Sequence, residues 1–425
     1  RALTEGTFTV ADVELHEPGR AVLAPDTVTG LGEGWYRLAF TGTSTAGPHQ
    51  LVIGPAIDDE SGVPMDQDGD GTPGEPAEDA YQAWLFPAEV SIPAGDSSYD
   101  GGRLVVTGTT VTLHGAHTFE SLALLQGAVL THPAATETET FQQNLTLTGG
   151  LWIDEDSAID VSGKGYRPDH TQGNTTEGGA AGAAGGSHAG LGHEDAANAS
   201  NAVYGEFRMP AEPGAGGGNP GYAGAGGGVV RITAPQAILD GAVRADGADG
   251  LGTFFGAGGA GAGGSVLLDI DALSGGGTVS AGGGNGPNGG GGGRIALHCS
   301  DRRGFDIDRL QTRGGSADGR PGGAGTVYVA DEDTGQEQLR IDSHDAPAQG
   351  LTPLGLPGDT EFTVGELIIR GAAAVAAPEH NLPIRVDRLT VQDGATLTHR
   401  ETTDTAMYRL LVEAAERLTV DAASA

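Results

Sequence analysis

The strongest chemical signal in this chain is a short acidic loop with carboxylates at alternate positions. Asp66, Asp68 and Asp70 alternate along the loop, and Gly71 permits a tight turn. Carboxylates spaced in this way converge on one point, and hard oxygen ligands suit Ca²⁺. Three converging carboxylates without a cation repel one another. The loop therefore predicts a calcium site, and the alternative is a solvated acidic turn.

Further ligands for this site are expected just after the loop. The backbone carbonyl of Thr72 is the next ligand that we predict. An EF-hand loop requires Glu at its twelfth position, but that position here is Ala77. One of Glu75, Glu78 and Asp79 is then needed to complete the coordination shell of the cation, and we assign that ligand to Asp79. The pattern argues against an EF-hand and favours a loop between strands that Ca²⁺ holds together.

The remaining acidic segments show no spacing typical of an active site. They are residues 58–60, 154–156, 269–271 and 331–333. A glycosidase needs two carboxylates that face each other across a groove, and a polysaccharide lyase needs a base and a cation. No spacing in the chain selects such a pair, so we interpret these segments as solvated turns and expect no catalytic residues. His188 and His193 lie in a Gly/Ala segment, where exposed loop histidines are expected and weak metal binding is the alternative.

Composition limits the fold and the partners. Gly accounts for 76 of 425 residues and aromatic residues for 5%. Helix formers are scarce, so we expect an all-β chain whose core is built from Val, Leu, Ile and Ala. The formal net charge of -35 disfavours nucleic acid and anionic lipid, and it attracts divalent cations. No apolar run approaches the ~20 residues that span a membrane.

Four glycine runs are each followed directly by a short alternating apolar strand. The strands are residues 229–233, 265–270, 294–299 and 326–330, with a weaker case at residues 202–209. Each strand carries only two or three core residues, so a single unit cannot fold alone and the units must stack. The strands begin at Val229, Ser265, Arg294 and Thr326, and the uneven spacing is typical of stacked repeats that accept loop insertions.

A second sequence repeat has a much longer period. Residues 122–132 recur as residues 389–399, and residues 151–158 recur as residues 418–425, both at an offset of 267. The linkers between the matched blocks have equal length, which a chance match would rarely keep. His132 and His399 fall at equivalent positions, which indicates a shared structural role at a corner. We therefore expect this chain to be a piece of a longer, repetitive protein.

The glycine runs admit three interpretations. They form flexible loops, or tight corners, or extended polyproline-II-like segments that pack against one another. Residues 256–264 contain only Gly and Ala and carry no charge, whereas disordered linkers usually contain Ser, Glu or Lys. We therefore favour ordered packing.

Residues 1–88 differ from the rest, because glycine is ordinary there and short strands alternate with turns. The predicted strands are residues 6–15, 20–23, 34–41, 49–53 and 81–86. This spacing is typical of a small β-sandwich. Residues 34–86, with the segment at 35–38 and the acidic loop, resemble bacterial Ig-like modules of cell-surface proteins.

The longer part of the chain carries a second resemblance. Residues 103–425 resemble the glycine-rich parallel β-helix repeats of large secreted bacterial adhesins and fibre proteins. The two resemblances imply an all-β chain: a small Ig-like β-sandwich with a calcium loop at 1–88, then a right-handed parallel β-helix at 89–425 with glycine-rich loops. Within it, residues 163–330 are the glycine-rich block and residues 389–425 begin a second copy of residues 122–158.

The resemblance also implies a function. We expect an extracellular or cell-surface structural or adhesive protein, a component of a fibre, stalk or sheath that Ca²⁺ stiffens. Its expected partners are copies of itself in fibres or neighbouring repeats of the same chain, with a polysaccharide as a further candidate, and neither nucleic acid nor inserted membrane. The alternative is a β-helix enzyme that binds or cleaves polysaccharide.

Overall fold

The fold is essentially all-β, as composition predicted. The structure is a computed structural model, and it describes residues 6–32, 35–44, 47–76, 78–253, 256–316, 320–344, 346, 349–402 and 407–425. Two short 3₁₀ helices are described, at Val10–Asp12 and Ile307–Arg309. Within these ranges no helix is long and apolar enough to cross a membrane.

The strands of the first third of the chain are short except for two of eleven residues. They are β1 Val13–His16, β2 Thr27–Gly32, β3 Trp35–Ala39, β4 His49–Ile53, β5 Tyr81–Phe86, β6 Val90–Ile92, β7 Arg103–Thr107, β8 Thr110–Leu113, β9 Gly115–Leu125, β10 Val129–Thr131, β11 Gln143–Ile153 and β12 Ala158–Asp160.

The remaining strands repeat the alternation of longer and shorter elements. They are β13 Val229–Leu239, β14 Ala242–Arg244, β15 Gly252–Thr253, β16 Gly256–Ala257, β17 Ser265–Ser274, β18 Thr278–Ser280, β19 Arg294–His298, β20 Asp301–Gly304, β21 Leu310–Gln311, β22 Thr326–Asp331, β23 Gln336–Asp342, β24 Leu351–Leu354, β25 Phe362–Arg370, β26 Val375–Pro378, β27 Ile384–Gln392, β28 Thr396–Leu397 and β29 Val412–Val420.

The chain crosses repeatedly between two sheets. A 15-stranded sheet runs in the order β1-β4-β5-β7-β9-β11-β13-β17-β19-β22-β23-β25-β27-β29, with β20 beside β17. A second sheet runs β21-β18-β14-β12-β10-β8-β6. From β5 to β22 every neighbouring pair in the large sheet is parallel, as are all pairs in the second sheet. We call a strand of the large sheet with the shorter strand that follows it a rung.

A single buried cluster joins the two sheets. Leu104 and Leu122 of the large sheet and Val111 and Leu130 of the second sheet all belong to it, and each is at most 2% exposed. Each rung contributes only a few such side chains, so the core is continuous only because the rungs stack. A further buried cluster serves the rungs from β22 onward, whose short strands form a separate sheet in the order β24-β26-β28.

The four glycine-led strands stack in one register, which confirms the predicted repeat. Val229 pairs with Ser265, Ser265 with Arg294, and Arg294 with Thr326, so the predicted first residues lie side by side across the sheet. The weaker case was wrong: residues 202–209 form no strand although they lie among the described residues. The backbone there is bound by other groups, because the guanidinium of Arg294 donates to the carbonyl of Tyr204 at 2.8 Å.

The 267-residue repeat is also a repeat of structure. Leu122 pairs with Leu151, and their counterparts Leu389 and Leu418 pair in the same way. A break in register precedes these pairs at the same place in both copies, between Leu147 and Gly150 in β11 and between Ala414 and Arg417 in β29. An offset that preserves strand pairing and its irregularity indicates that the two segments are equivalent units.

The N-terminal strands extend the large sheet. β1, β4 and β5 pair antiparallel, and β5 pairs in parallel with β7. β2 and β3 form a separate two-stranded ribbon. The predicted strand at residues 20–23 is reduced to one bridge between Leu15 and Leu23, and Gly34, the first residue of another predicted strand, lies outside the described residues. The Ig-like sandwich and the boundary at residue 88 stay predictions.

The glycine runs are buried and hydrogen-bonded to one another, as ordered packing requires. The Gly227 N–H donates to the Ala262 carbonyl at 2.8 Å, the Ala262 N–H to the Ala215 carbonyl at 2.8 Å, and the Gly263 N–H to the Gly291 carbonyl at 2.9 Å. These runs lie outside the assigned strands. We call the buried runs the glycine layer; they are residues 184–190, 213–218, 226–228, 258–264, 289–293 and 322–325.

Candidate metal centre

The acidic loop lies between β4 and β5 and is built from turns in which aspartates bind nearby backbone. The Gly69 N–H donates to Oδ1 of Asp66 at 2.9 Å, and the Asp70 N–H donates to Oδ1 of Asp68 at 3.0 Å. Gly69 and Gly71 adopt φ of 74° and 88°, which glycine tolerates without strain. The local sequence thus holds the first two carboxylates on one side of a tight turn.

Asp79 joins the two ends of the loop. Its side chain is fully buried just before β5, and it accepts the Gln67 N–H at 2.9 Å and the Glu75 N–H at 2.8 Å. These backbone hydrogen bonds, that from Glu75 foremost, lower the pKa of the Asp79 carboxyl below its usual value. Asp79 is therefore a fixed, ionised carboxylate that holds the backbone of the loop at Gln67 and at Glu75.

Three of the predicted ligands meet in space. One carboxylate oxygen from each of Asp66, Asp68 and Asp79 lies within 4.8 Å of the other two, with Asp66 and Asp68 exposed and Asp79 buried. The donors are all hard oxygens, the type that Ca²⁺ prefers. Asp70 is not part of this group; its Oδ1 instead accepts the Thr72 N–H at 2.7 Å. The carbonyl of Thr72 stays a predicted ligand, and Ala77 lies outside the described residues.

The neighbouring charges make the site favourable for a cation. The pKa of Glu75 is raised by burial first and then by the negative charges of Glu78, Asp70 and Asp79. The second group of causes, the repulsion from neighbouring carboxylates, reflects the negative charge gathered around the loop. A divalent cation would relieve this repulsion. Asp79, which we assigned from the sequence ahead of Glu75 and Glu78, lies in the cluster because burial and two backbone donors fix its position.

The other segments singled out from sequence do not assemble a comparable site. Among the described residues, no other set of three His, Cys, Asp or Glu side chains converges in this way. His188 is fully buried, and its Nδ1 contacts the carbonyl of Gly263 at 2.9 Å. Burial lowers the pKa of His188 to about 3, so this histidine is a neutral, buried member of the glycine layer. The expectation of an exposed loop histidine was wrong for His188, because the packed glycine runs enclose its side chain.

A groove that sequence reasoning missed lies beside the acidic loop. It has a volume of about 1340 Å³ and is bounded by the β2–β3 ribbon, by β4 and β5, and by the face of β7, β9 and β11. Tyr36, Tyr81 and Trp152 line it together with the carboxylates Asp66 and Asp154. Tyr81 and Trp152 are far apart in the chain, and the successive pairing of β5, β7, β9 and β11 places them on the same groove.

The comparisons with known proteins add no relative to this description. The chain matches no protein-family model, no curated protein and no solved structure.

Proposed function

We propose that this chain is an extracellular structural or adhesive protein, a component of a repetitive fibre, stalk or sheath. In this proposal the N-terminal region is an Ig-like module and the stacked rungs form a right-handed parallel β-helix. The observation that carries the proposal is the unbroken parallel pairing from β5 to β22, combined with the return of the same pairing 267 residues later.

Such a stack grows by repetition of one unit. Each rung contacts mainly the rungs before and after it, so length is added by repeating one unit and its interface. A stack of this kind suits a spacer that separates or joins other structures. The internal repeat supports this function, because it reproduces whole pairs of strands in register.

Calcium has a stiffening role in the proposal. Ca²⁺ bound by Asp66, Asp68 and Asp79 would lock the loop that enters β5, the strand through which the N-terminal strands join the parallel part of the sheet. Extracellular modules of this kind bind Ca²⁺ with dissociation constants of roughly 10⁻⁴–10⁻³ M, which suits a site with two exposed ligands. The excess of 57 acidic over 22 basic residues favours the same cation.

Electron microscopy of the purified protein, with Ca²⁺ and with a chelator, tests the structural function. We expect extended particles or fibres that are straighter with Ca²⁺. The D66N/D68N double variant should lose the calcium response, and Glu155→Gln, which removes an exposed carboxylate outside the cluster, should retain it. Compact, isolated particles at every concentration, with or without Ca²⁺, would contradict the proposal.

The groove favours one second candidate, a polysaccharide-binding or polysaccharide-cleaving protein. Aromatic faces such as those of Tyr36 and Trp152 stack on sugar rings, and the exposed carboxylate of Asp66 accepts hydroxyl hydrogen bonds. A screen against acidic polysaccharides with and without Ca²⁺ separates the two activities: retention on the polymer indicates binding, and new reducing or unsaturated ends indicate cleavage. If the Trp152→Ala variant binds the polysaccharide as well as the wild-type chain does, the groove is not the binding site.

A further inference from the structure

The large sheet changes its covered face at one pair of strands. We call the rungs from β5 to β22 the first stack and those from β23 to β29 the second stack. Val327 and Val329 of β22 belong to the buried cluster of the first stack. Tyr328 lies between them in the strand and so points to the opposite face, where it belongs to the second buried cluster together with Leu339 of β23. The two cores therefore lie on opposite faces of one continuous sheet.

A reversal of strand direction explains the change of face. β22 and β23 pair antiparallel, with Tyr328 opposite Leu339. Among the described strands from β5 onward, no other pair in the large sheet is antiparallel. Connections between parallel strands of one sheet are almost always right-handed. Strands that run the opposite way therefore need their connections, and with them their core, on the opposite face.

A segment that precedes β13 reaches across this junction on the face of the second core. The ring centroid of Phe207 lies 5.6 Å from that of Tyr328 in β22 and 5.8 Å from that of Phe362 in β25. Nε and Nη2 of Arg208 donate to the two carboxylate oxygens of Glu337 in β23, each at 3.0 Å. We call Phe207, Arg208 and Glu337 the Arg208 clamp. The clamp joins strands on both sides of the junction.

The ion pair of the Arg208 clamp is held by further hydrogen bonds. The Tyr328 hydroxyl donates to Oε2 of Glu337 at 2.8 Å, and the Gly365 N–H donates to Oε1 at 3.0 Å. Nη2 of Arg208 also donates to the carbonyl of Thr363 at 3.0 Å. A bidentate pair between arginine and a carboxylate fixes orientation as well as distance. The clamp therefore holds β22, β23 and β25 in one arrangement.

The opposite face of the junction has a clamp of its own. Asp308, in the 3₁₀ helix of the first stack, accepts the guanidinium of Arg340 at 2.5 Å and that of Arg370 at 2.9 Å. Arg340 lies opposite Val327, on the face of the first core, and is buried. We call Asp308 and these two arginines the Asp308 clamp. A buried guanidinium that loses its carboxylate is strongly destabilising, so this contact also resists opening of the junction.

We infer that β22 and β23 form a junction between two stacks whose cores lie on opposite faces, and that the Arg208 and Asp308 clamps hold it closed from its two sides. When one clamp is removed, the other still holds the junction. When both are removed, the pairing of β22 with β23 opens more often, while each stack stays folded. The inference goes beyond the proposed function and applies equally to an isolated particle. In a spacer, a closed junction would keep the two stacks in one fixed direction.

Hydrogen–deuterium exchange of the full chain tests the inference in Arg208→Ala, in Asp308→Ala and in the combined variant. The junction strands are residues 326–331 and 336–342. We expect each single variant to raise their exchange rate modestly. The combined variant should raise it at least about tenfold, and by more than the product of the two single effects, because each clamp compensates for the loss of the other. Residues 229–239 and 384–392, inside the two stacks, should keep their wild-type exchange.

Two further variants separate the junction from general effects of losing an ion pair. Arg103→Ala is the matched control, because Nε of Arg103 donates to Glu120 at 2.7 Å and its guanidinium lies 4.8 Å from the centroid of the Tyr81 ring, all within the first stack. This variant should leave exchange of the junction strands unchanged. Exchange of the two charges, Arg208→Glu with Glu337→Arg, should restore part of the protection that Arg208→Ala removes, because the pair can form in reverse.

Three results would overturn the inference. The first is wild-type exchange of the junction strands in the combined variant. The second is equal acceleration of residues 384–392, which would mean that the second stack unfolds as a whole. The third is a combined effect equal to the product of the single effects, which would mean that the two clamps act on separate parts of the molecule.

Discussion

Alanine at Gly259 should destabilise the protein strongly, because the glycine layer has no room for a side chain. A Cβ at Gly259 would lie 1.7 Å from the carbonyl oxygen of Ala184, far inside contact distance. Gly259 also donates its N–H to the carbonyl of Gly218 at 3.0 Å and accepts from Gly224 at 3.0 Å. Relief of the overlap requires the runs to separate by more than about 1 Å.

The magnitude follows from two contributions. Overpacking of a filled interior costs about 1–3 kcal/mol. Weakening of the two hydrogen bonds adds about 0.5–1.5 kcal/mol for each. We therefore expect Gly259→Ala to lower the free energy of unfolding by about 3 kcal/mol.

The control is Gly276→Ala, in the turn between β17 and β18. A Cβ at Gly276 meets nothing within 4 Å, and its φ is not positive. The change should leave stability unchanged or raise it by about 0.4–1 kcal/mol, because alanine restricts the unfolded chain. Urea unfolding followed by tryptophan fluorescence and circular dichroism measures both variants. If the glycine runs were flexible loops, both alanines would be nearly neutral, and equal stability of the two variants would refute ordered packing.

Three further predictions concern other parts of the molecule. Burial lowers the pKa of His132 from 6.5 to about 4, so the unfolded state binds a proton at a higher pH than the folded state does. The free energy of unfolding should therefore fall by about 3 kcal/mol as the pH drops from 6.5 to 4. Urea titrations at several pH values measure this dependence, and His132→Ala should flatten it. Ca²⁺ at 100 times its dissociation constant should stabilise the wild-type chain by about 2.7 kcal/mol, measured by thermal unfolding, and should not stabilise the D66N/D68N variant. Leu151→Ala should lower the free energy of unfolding by about 2–5 kcal/mol, and the equivalent Leu418→Ala should lower it by less than about 0.5 kcal/mol, because Leu151 is buried and Leu418 is exposed. Urea unfolding measures both, and equal losses of stability would contradict this reasoning.

The sequence predicts the stacked strands well because glycine runs and alternation mark their starts. Val229, Ser265 and Arg294 are each preceded by glycine and followed by alternating apolar residues, and they lie side by side in the sheet. Residues 202–209 show a similar alternation but form no strand, because the Tyr204 carbonyl is bound by the Arg294 side chain. Such a partner, 90 residues away, cannot be read from a local pattern.

The candidate metal centre was predicted in part. Alternate spacing identified Asp66 and Asp68, whereas the position of Asp79 depends on how the loop closes against β5. The groove could not be predicted, because it requires Tyr81 and Trp152 to meet through the pairing of sheet strands. The N-terminal strands join the large sheet because β5 pairs with β7. The change in composition near residue 88 does not predict this pairing.

Hydrogen–deuterium exchange of the native protein tests the central claim, that the glycine runs are an ordered layer of a stacked structure. The Gly227, Gly263 and Gly291 amides donate to carbonyls of neighbouring runs and are buried. We predict that peptides covering these runs exchange as slowly as β13 and β17, which form the centre of the large sheet. Exchange of the runs at the rate of an unstructured chain, with β13 and β17 still protected, would contradict the account.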